Sequence, residues 1–283
     1  MSNPLVAFVD GSIYSKSVCE HAAWLAKRMG SSVQILHVLG RRETPPSDLS
    51  GAIALGTRSA LLEQLSELDA QRAKLARERG RVILEDAQSI VLKAGVSQVT
   101  TRLVSGDILE TVGELEAGAA MMVIGKRGEA ADFAKLHLGS NLERVVRASQ
   151  KPVFVASRAF RPIGKVLVAF DGGVSNIKAV DHIAVSPLFR GLDITLLTVG
   201  GEGDDTARKL DYARGKLEQA GVSAVSEIRN GQPEVVIASA VEREGFDLLV
   251  MGAYGHSRIR NLLIGSTTTE MLRSCMVPVL LFR

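Results

Sequence analysis

Two stretches of this chain, residues 6–38 and 167–199, align on one another without a gap, and the correspondence runs on almost to the end. Val9-Asp10-Gly11-Ser12 answers Phe170-Asp171-Gly172-Gly173, and 28 residues beyond each aspartate stands a valine, Val38 or Val199. Ala94-Gly95-Val96-Ser97 matches Ala220-Gly221-Val222-Ser223, and Gly125 and Gly128 match Gly252 and Gly255. Gly139 and Gly265 each precede a proline, Pro152 or Pro278, by 13 residues, and each proline leads into a last apolar run. Solenoid units recur every ~20–50 residues, so a repeat this long is a domain. Two copies of one fold are therefore expected, over residues 1–157 and 160–283, joined by the short polar stretch around 157–164.

Within each half, strands and helices alternate through five strands. The runs 33–38, 120–124, 194–199 and 248–251 are aliphatic throughout, without the every-other-residue polarity of a half-exposed strand. Such runs suit a parallel sheet covered on both faces. Between them the apolar positions take a helical period, as in Ile83, Ala87, Ile90, Val91 and Ala94. Strand–helix alternation of this kind predicts right-handed crossovers and a doubly wound α/β sheet. Ligands of such sheets sit beyond the carboxyl ends of the strands. Asp10, Asp171, Val38, Val199 and both glycine turns fall there. The final runs, 153–155 and 279–282, are short apolar edges. Exposed edges invite pairing, so the two halves are expected to pair with each other, leaving further homodimerisation open.

The most specific segment is GAYGHSRIRNLLIGST, with Gly252, Gly255 and Gly265 at a Gly-x2-Gly-x9-Gly spacing and Ser266-Thr267 after it. A glycine turn after a strand, followed by small and hydroxyl residues opening a helix, aims unpaired backbone N–H groups at one point. The helix dipole adds to them, and an anion such as phosphate is favoured there. An ordinary tight turn would use the same glycines.

On the aspartate closing the first strand, this glycine motif and the proline-led last strand, the chain resembles the universal stress protein family in its tandem form. The resemblance covers nearly the whole length, twice. It implies a five-stranded adenine-nucleotide-binding α/β domain and a bound ATP or AMP, with or without Mg. In the second half it implies that Asp171 accepts a hydrogen bond from adenine or ribose and Val199 walls the base. Met251 and Gly252 would flank the ribose, Gly255 and His256 line the phosphates, and Gly265, Ser266 and Thr267 cradle them. Asp171 is equally suited to shaping the turn before the next helix.

The first half offers the matching set Asp10, Val38, Gly125, Gly128, Gly139 and Ser140, but it departs from the motif. Ten residues rather than nine separate Gly128 from Gly139, Asn141 replaces the second hydroxyl, and Glu129 and Asp132 lie between. Carboxylates there oppose phosphate, with Lys126 and Arg127 available to offset them. Ala120 also replaces the Asp247 position. The second half is thus expected to hold the better site. The first half also carries about 34 additional residues between the aspartate and the glycine turn, 115 against 81. Leu61, Leu65, Leu68 and Leu75 form a stripe within them, expected to cover its own domain or the neighbouring one, or to serve as a partner-binding arm.

No Walker, kinase or nucleophile-elbow signature is present, so a sensing or storage protein is expected. A slow metal-dependent ATP hydrolase, an interaction module without nucleotide and an electron-transfer flavoprotein are the alternatives. Net charge of +3, interleaved signs and 4% aromatics argue against a nucleic-acid surface. His21, His37, His137 and His182 lack zinc-ligand spacing, and Cys19 and Cys275 read as small core residues. No apolar run approaches the ~18 residues of a membrane helix. A strand expected from Leu5 leaves no signal peptide, and the cytoplasm is the expected location.

Overall fold

The computed structural model describes residues 3–40, 58–128, 140–201, 203–253 and 265–283. The first half runs β1 (Leu5–Phe8), α1 (Ile13–Met29), β2 (Val33–Leu39), α2 (Arg58–Lys93), β3 (Val99–Ser105), α3 (Ile108–Glu116), β4 (Met121–Gly125), α4 (Ser140–Ala148) and β5 (Val153–Ala156). The second repeats it with β6 (Lys165–Ala169), α5 (Val174–Val185), β7 (Asp193–Val199), α6 (Asp204–Gln219), β8 (Ala224–Arg229), α7 (Pro233–Arg243), β9 (Leu248–Gly252), α8 (Ser266–Ser274) and β10 (Val279–Phe282). A 3-10 turn, Pro187–Phe189, follows α5.

All ten strands form one sheet in the order β3-β2-β1-β4-β5-β10-β9-β6-β7-β8. Each half is therefore a doubly wound parallel sheet of the same strand order. The halves join where β5 and β10 pair antiparallel, with Leu280 opposite Phe154. This pairing consumes both inner edges, which would otherwise present unpaired backbone groups.

Burial on both faces explains why the strands lack alternation. Leu5, Ala7, Phe154, Val166, Val168 and Leu280 belong to the core on one face, and Val6, Val153, Val155, Leu167 and Leu281 to the core on the other. Both cores cross the junction between the halves. There Arg28 of α1 donates from Nε to Leu188 O at 2.7 Å, pinning the 3-10 turn of the second half to the first. The two cysteines are buried and unlinked; burial pushes the Cys19 thiol up to about 12.

The extra length of the first half resides partly in α2, which has 36 residues where its counterpart α6 has 16. Only the later part covers the domain. Leu84, Ala87 and Val91 are buried, and Ile83, Ile90 and Ala94 pack beside them. Gly80 allows the approach, since a Cβ there would lie 2.7 Å from Leu103 Cδ1 and 2.9 Å from His37 Cδ2. The expected leucine stripe does not take part in this covering. Leu65, Leu68 and Leu75 remain exposed, and none belongs to either core. The polar loop expected from Arg41 to Ser50 lies outside the described residues.

Candidate functional site

Both halves fold the turn after their first strand around an aspartate. In the second half Asp171 Oδ1 accepts from Gly173 N at 2.7 Å and from Asn176 Nδ2 at 2.5 Å. In the first half Asp10 Oδ1 accepts from Ser12 N at 3.0 Å and Ser15 Oγ at 3.2 Å. The glycine between has a positive φ in each, 72° at Gly172 and 79° at Gly11, a conformation that side-chain-bearing residues avoid. Asp171 thus shapes its turn, while its place beyond β6 puts it on the rim of a cavity. Ser15 likewise binds the backbone, accepting from Asp10 N and Gly11 N at 3.2 and 3.0 Å.

A cavity of about 400 Å³ opens at the carboxyl ends of β6, β7 and β9. Its lining brings together Asp171, Val199, Met251, Gly252, Gly265, Ser266 and Thr267, seven residues singled out from sequence. Gly255 and His256 lie outside the described residues, as do Gly139, Glu129 and Asp132 of the first half. The lining also includes residues that motif reading passed over: Asn176, Leu197, Pro233, Ile237 and Thr268. Asn176 and Thr268 carry the most chemistry. Thr268 Oγ1 donates to Gly252 O at 2.9 Å and fixes the start of α8 against the end of β9. Asn176 is buried, and its Oδ1 has no hydrogen-bond partner among the described residues. A repeat alignment would have found it, because Asn176 occupies the position of Ser15.

The helix end is only partly available for an anion. Gly265 N donates to Ala253 O at 3.1 Å, so this amide is already used within the fold. Gly265 caps α8 without a side-chain hydrogen bond. The following amides, at Ser266, Thr267 and Thr268, have no partner among the described residues, as the first turn of any helix leaves them. Those three, and the dipole behind them, are what the cavity offers to negative charge. The same lining includes the apolar Val199, Leu197, Ile237 and Met251. The cavity thus combines surface for a flat apolar body with amides for an anion.

Two assignments made from sequence change with the fold. Lys126 does not face the phosphate region of the first half. It is buried, and its Nζ donates to Cys275 O at the end of α8, in the other half. Burial there pushes its amine below the usual lysine range. Asp247 has no bearing on the site: its Oδ2 accepts from Gly164 N and Lys165 N at 2.9 Å each, at the opposite end of the strands. The substitution of Ala120 at that position therefore leaves the first site untouched. His37, read from sequence only as lacking zinc-ligand spacing, is buried and donates from Nδ1 to Val9 O at 2.8 Å. Its counterpart Thr198 makes the same bond to Phe170 O at 2.9 Å.

The remaining first-half residues, Val38, Gly125 and Gly128, lie at the corresponding strand ends. A Cβ on Gly128 would fall 2.7 Å from Asp10 Oδ2, so that turn lies directly on the aspartate. Tyr14 Cβ is 2.9 Å from where a Gly125 Cβ would be; the second half has Ser175 in the same relation to Gly252. Arg144 of α4 also bridges to the α3 cap, with Nη2 at 2.8 and 2.6 Å from the Asp107 carboxylate oxygens. The corresponding residues of the second half are Glu270 and Gln232.

Comparisons with known proteins agree with this architecture. The sequence model of the universal stress protein family matches twice, over residues 1–157 and 162–283. A universal stress protein of Synechocystis sp. is 38% identical over 288 residues, spanning 100% of both chains. A universal stress protein of Mycobacterium tuberculosis is 24% identical over 304 residues, covering 99% of this chain and 94% of its own. Among solved structures, a universal stress protein from Archaeoglobus fulgidus superposes with a TM-score of 0.76 at 22% identity, covering 100% of this chain and 99% of that one. At that identity the last likeness speaks for the fold alone.

Proposed function

Because this chain belongs to the universal stress protein family, we propose that its second half binds an adenine nucleotide, ATP or AMP, as a sensing or storage module. The observation that carries this is the cavity of about 400 Å³ whose lining joins apolar side chains to the first turn of α8, where the amides of Ser266 to Thr268 have no partner among the described residues. Its volume falls in the ~300–1,000 Å³ range of small-molecule clefts. In this reading the base lies against Val199 and Leu197, near Met251. Asp171, held in place by Gly173 N and Asn176, accepts from a ribose hydroxyl or the adenine amino group. The phosphates lie at Ser266 and Thr267, where the amides and the dipole favour an anion. Gly265 contributes by closing the turn through Ala253 O and by bringing the backbone near.

Titration calorimetry with ATP and with AMP tests this, paired with thermal melts. A ligand bound only by the native state must raise the melting temperature, by about 2.7 kcal/mol of added stability at a hundredfold excess over Kd. Val199→Trp fills the cavity from a partly exposed strand end and is expected to abolish binding. Val38→Trp, the matching change in the first half, leaves it intact. Absence of heat and of any melting shift with either nucleotide at millimolar concentration removes the proposal.

A further inference from the structure

Along the early part of α2 an apolar stripe lies exposed. The contacts of α2 with α1, β2 and β3 include those of the later part described above. α2, with 36 residues, exceeds α6, with 16, by twenty, roughly 30 Å of additional helix at ~1.5 Å per residue. Leu65, Leu68, Arg72, Leu75, Arg79 and Val82 succeed one another at steps of 3, 4, 3, 4 and 3. That spacing is the seam of a coiled coil, and in the sequence it runs back to Leu61. Leu68, Leu75 and Val82 are 50%, 64% and 56% exposed. Helical segments gain most of their stability from packing an apolar face, and this one carries its leucines exposed.

Charge along the helix identifies the occupant. Residues 62–70 hold Glu63, Glu67 and Asp69 and no base, a net charge of −3. Residues 71–82 hold Arg72, Lys74, Arg77, Arg79 and Arg81 against Glu78 alone, so five positive less one negative gives +4. A second copy laid parallel would set acid on acid and base on base. Laid antiparallel about a two-fold axis, each acidic segment meets a basic one. We propose that α2 is a dimerisation arm, pairing antiparallel with α2 of a second copy of this chain.

With the axis at Ala70, Leu65 faces Leu75 of the second copy, and Leu68 faces the aliphatic stem of its Arg72. Asp69, already 3.9 Å from Arg72 of its own helix, then stands beside Arg72 of the other. Arginine at a seam position weakens the coil but selects orientation, since antiparallel pairing sets Arg72 beside a carboxylate of the second copy. The seam residues belong neither to the β5–β10 junction nor to the lining of the second-half cavity, so pairing through them leaves both in place.

Sedimentation equilibrium on the full chain at low ionic strength tests the pairing. The expected species has twice the 30.2 kDa chain mass. The triple change Leu65→Glu, Leu68→Glu, Leu75→Glu is expected to weaken association at least a hundredfold while leaving the melting temperature of the domains unchanged. A chain carrying Glu63→Lys, Glu67→Lys and Asp69→Lys should stay monomeric alone. So should one carrying Arg72→Glu, Lys74→Glu and Arg77→Glu, yet an equimolar mixture of the two associates. For orientation, chains with Leu65→Cys and with Leu75→Cys cross-link to each other on oxidation, and neither to itself; native Cys19 and Cys275 are buried. A monomeric wild type at high micromolar concentration overturns the proposal and leaves the seam to residues 41–57 or to a different protein. Association indifferent to the three glutamates overturns it as well, and self-linking through Leu65→Cys assigns a parallel pair instead.

Discussion

The two halves share strand order and the aspartate turn, yet they carry different side chains at three positions near the ends of their strands. In the second half these are the small Ser175, the flexible Lys209 and the uncharged Gln232. In the first half the same three positions hold Tyr14, Ile83 and Asp107, and Asp107 is tied to Arg144 at 2.6 Å. Ile83 Cδ1 lies 2.7 Å from a Cβ placed on Gly11, whereas Lys209 Cδ stands at 2.8 Å in the same relation to Gly172. An isoleucine holds such a position by packing; a lysine has a charged end that seeks water and can move aside. The comparison teaches that a duplicated scaffold keeps the bonds that make the turn and exchanges the side chains that decide access to it.

The sharpest break of this comparison comes from the paired aspartates. Asp171→Ala is expected to weaken nucleotide binding about tenfold to a hundredfold, as loss of a hydrogen bond to a charged group costs about 1.5–3 kcal/mol. Asp10→Ala should leave the calorimetric titration unchanged. Equal losses from both changes would put ligand in both halves and erase the asymmetry.

Acid is expected to act next, through the histidines of α1 and α5. His21 is buried, donates from Nδ1 to Ser17 O at 2.7 Å, and packs on Phe154 and Phe160. Burial pushes its imidazole down to about 4 from 6.5, so the folded protein holds it neutral while the unfolded chain binds the proton. Its stability contribution is complete above pH 6.5 and falls as pH drops through the window from 6.5 to 4. The loss by pH 5 is about 2 kcal/mol. His182 shifts in the same direction from the same cause. Denaturant melts at pH 7 and pH 5 should show this slope, reduced in His21→Leu; an unchanged slope would assign the acid sensitivity to other groups.

Lys126 sharpens the contrast with a smaller effect. Lys126→Met is expected to cost about 1 kcal/mol, because Cys275 O loses its donor, and to leave nucleotide affinity unaltered. Were affinity to fall in step with stability, the lysine would be acting on the site through α8 rather than holding the junction. Smallest of all, Arg144→Gln removes a partly exposed ion pair and should lower stability by under about 1 kcal/mol. A thermal melt of that variant with ATP present then asks whether opening the Arg144–Asp107 bridge gives the first half a ligand response.

Much of this was legible beforehand. Aliphatic runs without alternation reported strands buried on both faces, and β2, β4, β7 and β9 lie within a residue or so of those runs. Seven of the nine second-half residues named from the motif line one cavity, because glycines and strand-terminal aspartates are placed by backbone geometry that sequence encodes locally. Thr268, Pro233 and Ile237 were not found, since side chains that complete a wall arrive from separate elements without a shared spacing; Asn176 was within reach only through its match to Ser15. Lys126 misled for a related reason. Its neighbours in sequence belong to the first half, and its hydrogen-bond acceptor belongs to α8.

Sequence alone therefore determined the duplication, the alternation that makes a doubly wound sheet, and the turn that carries Asp171. These follow from short-range sterics and from the periodicity of burial. Tertiary structure alone decided that the Gly265 amide is spent on Ala253 O, that Lys126 crosses the junction, and that the leucines of α2 stand in water. Each depends on which surfaces meet in space, and no spacing along the chain records that.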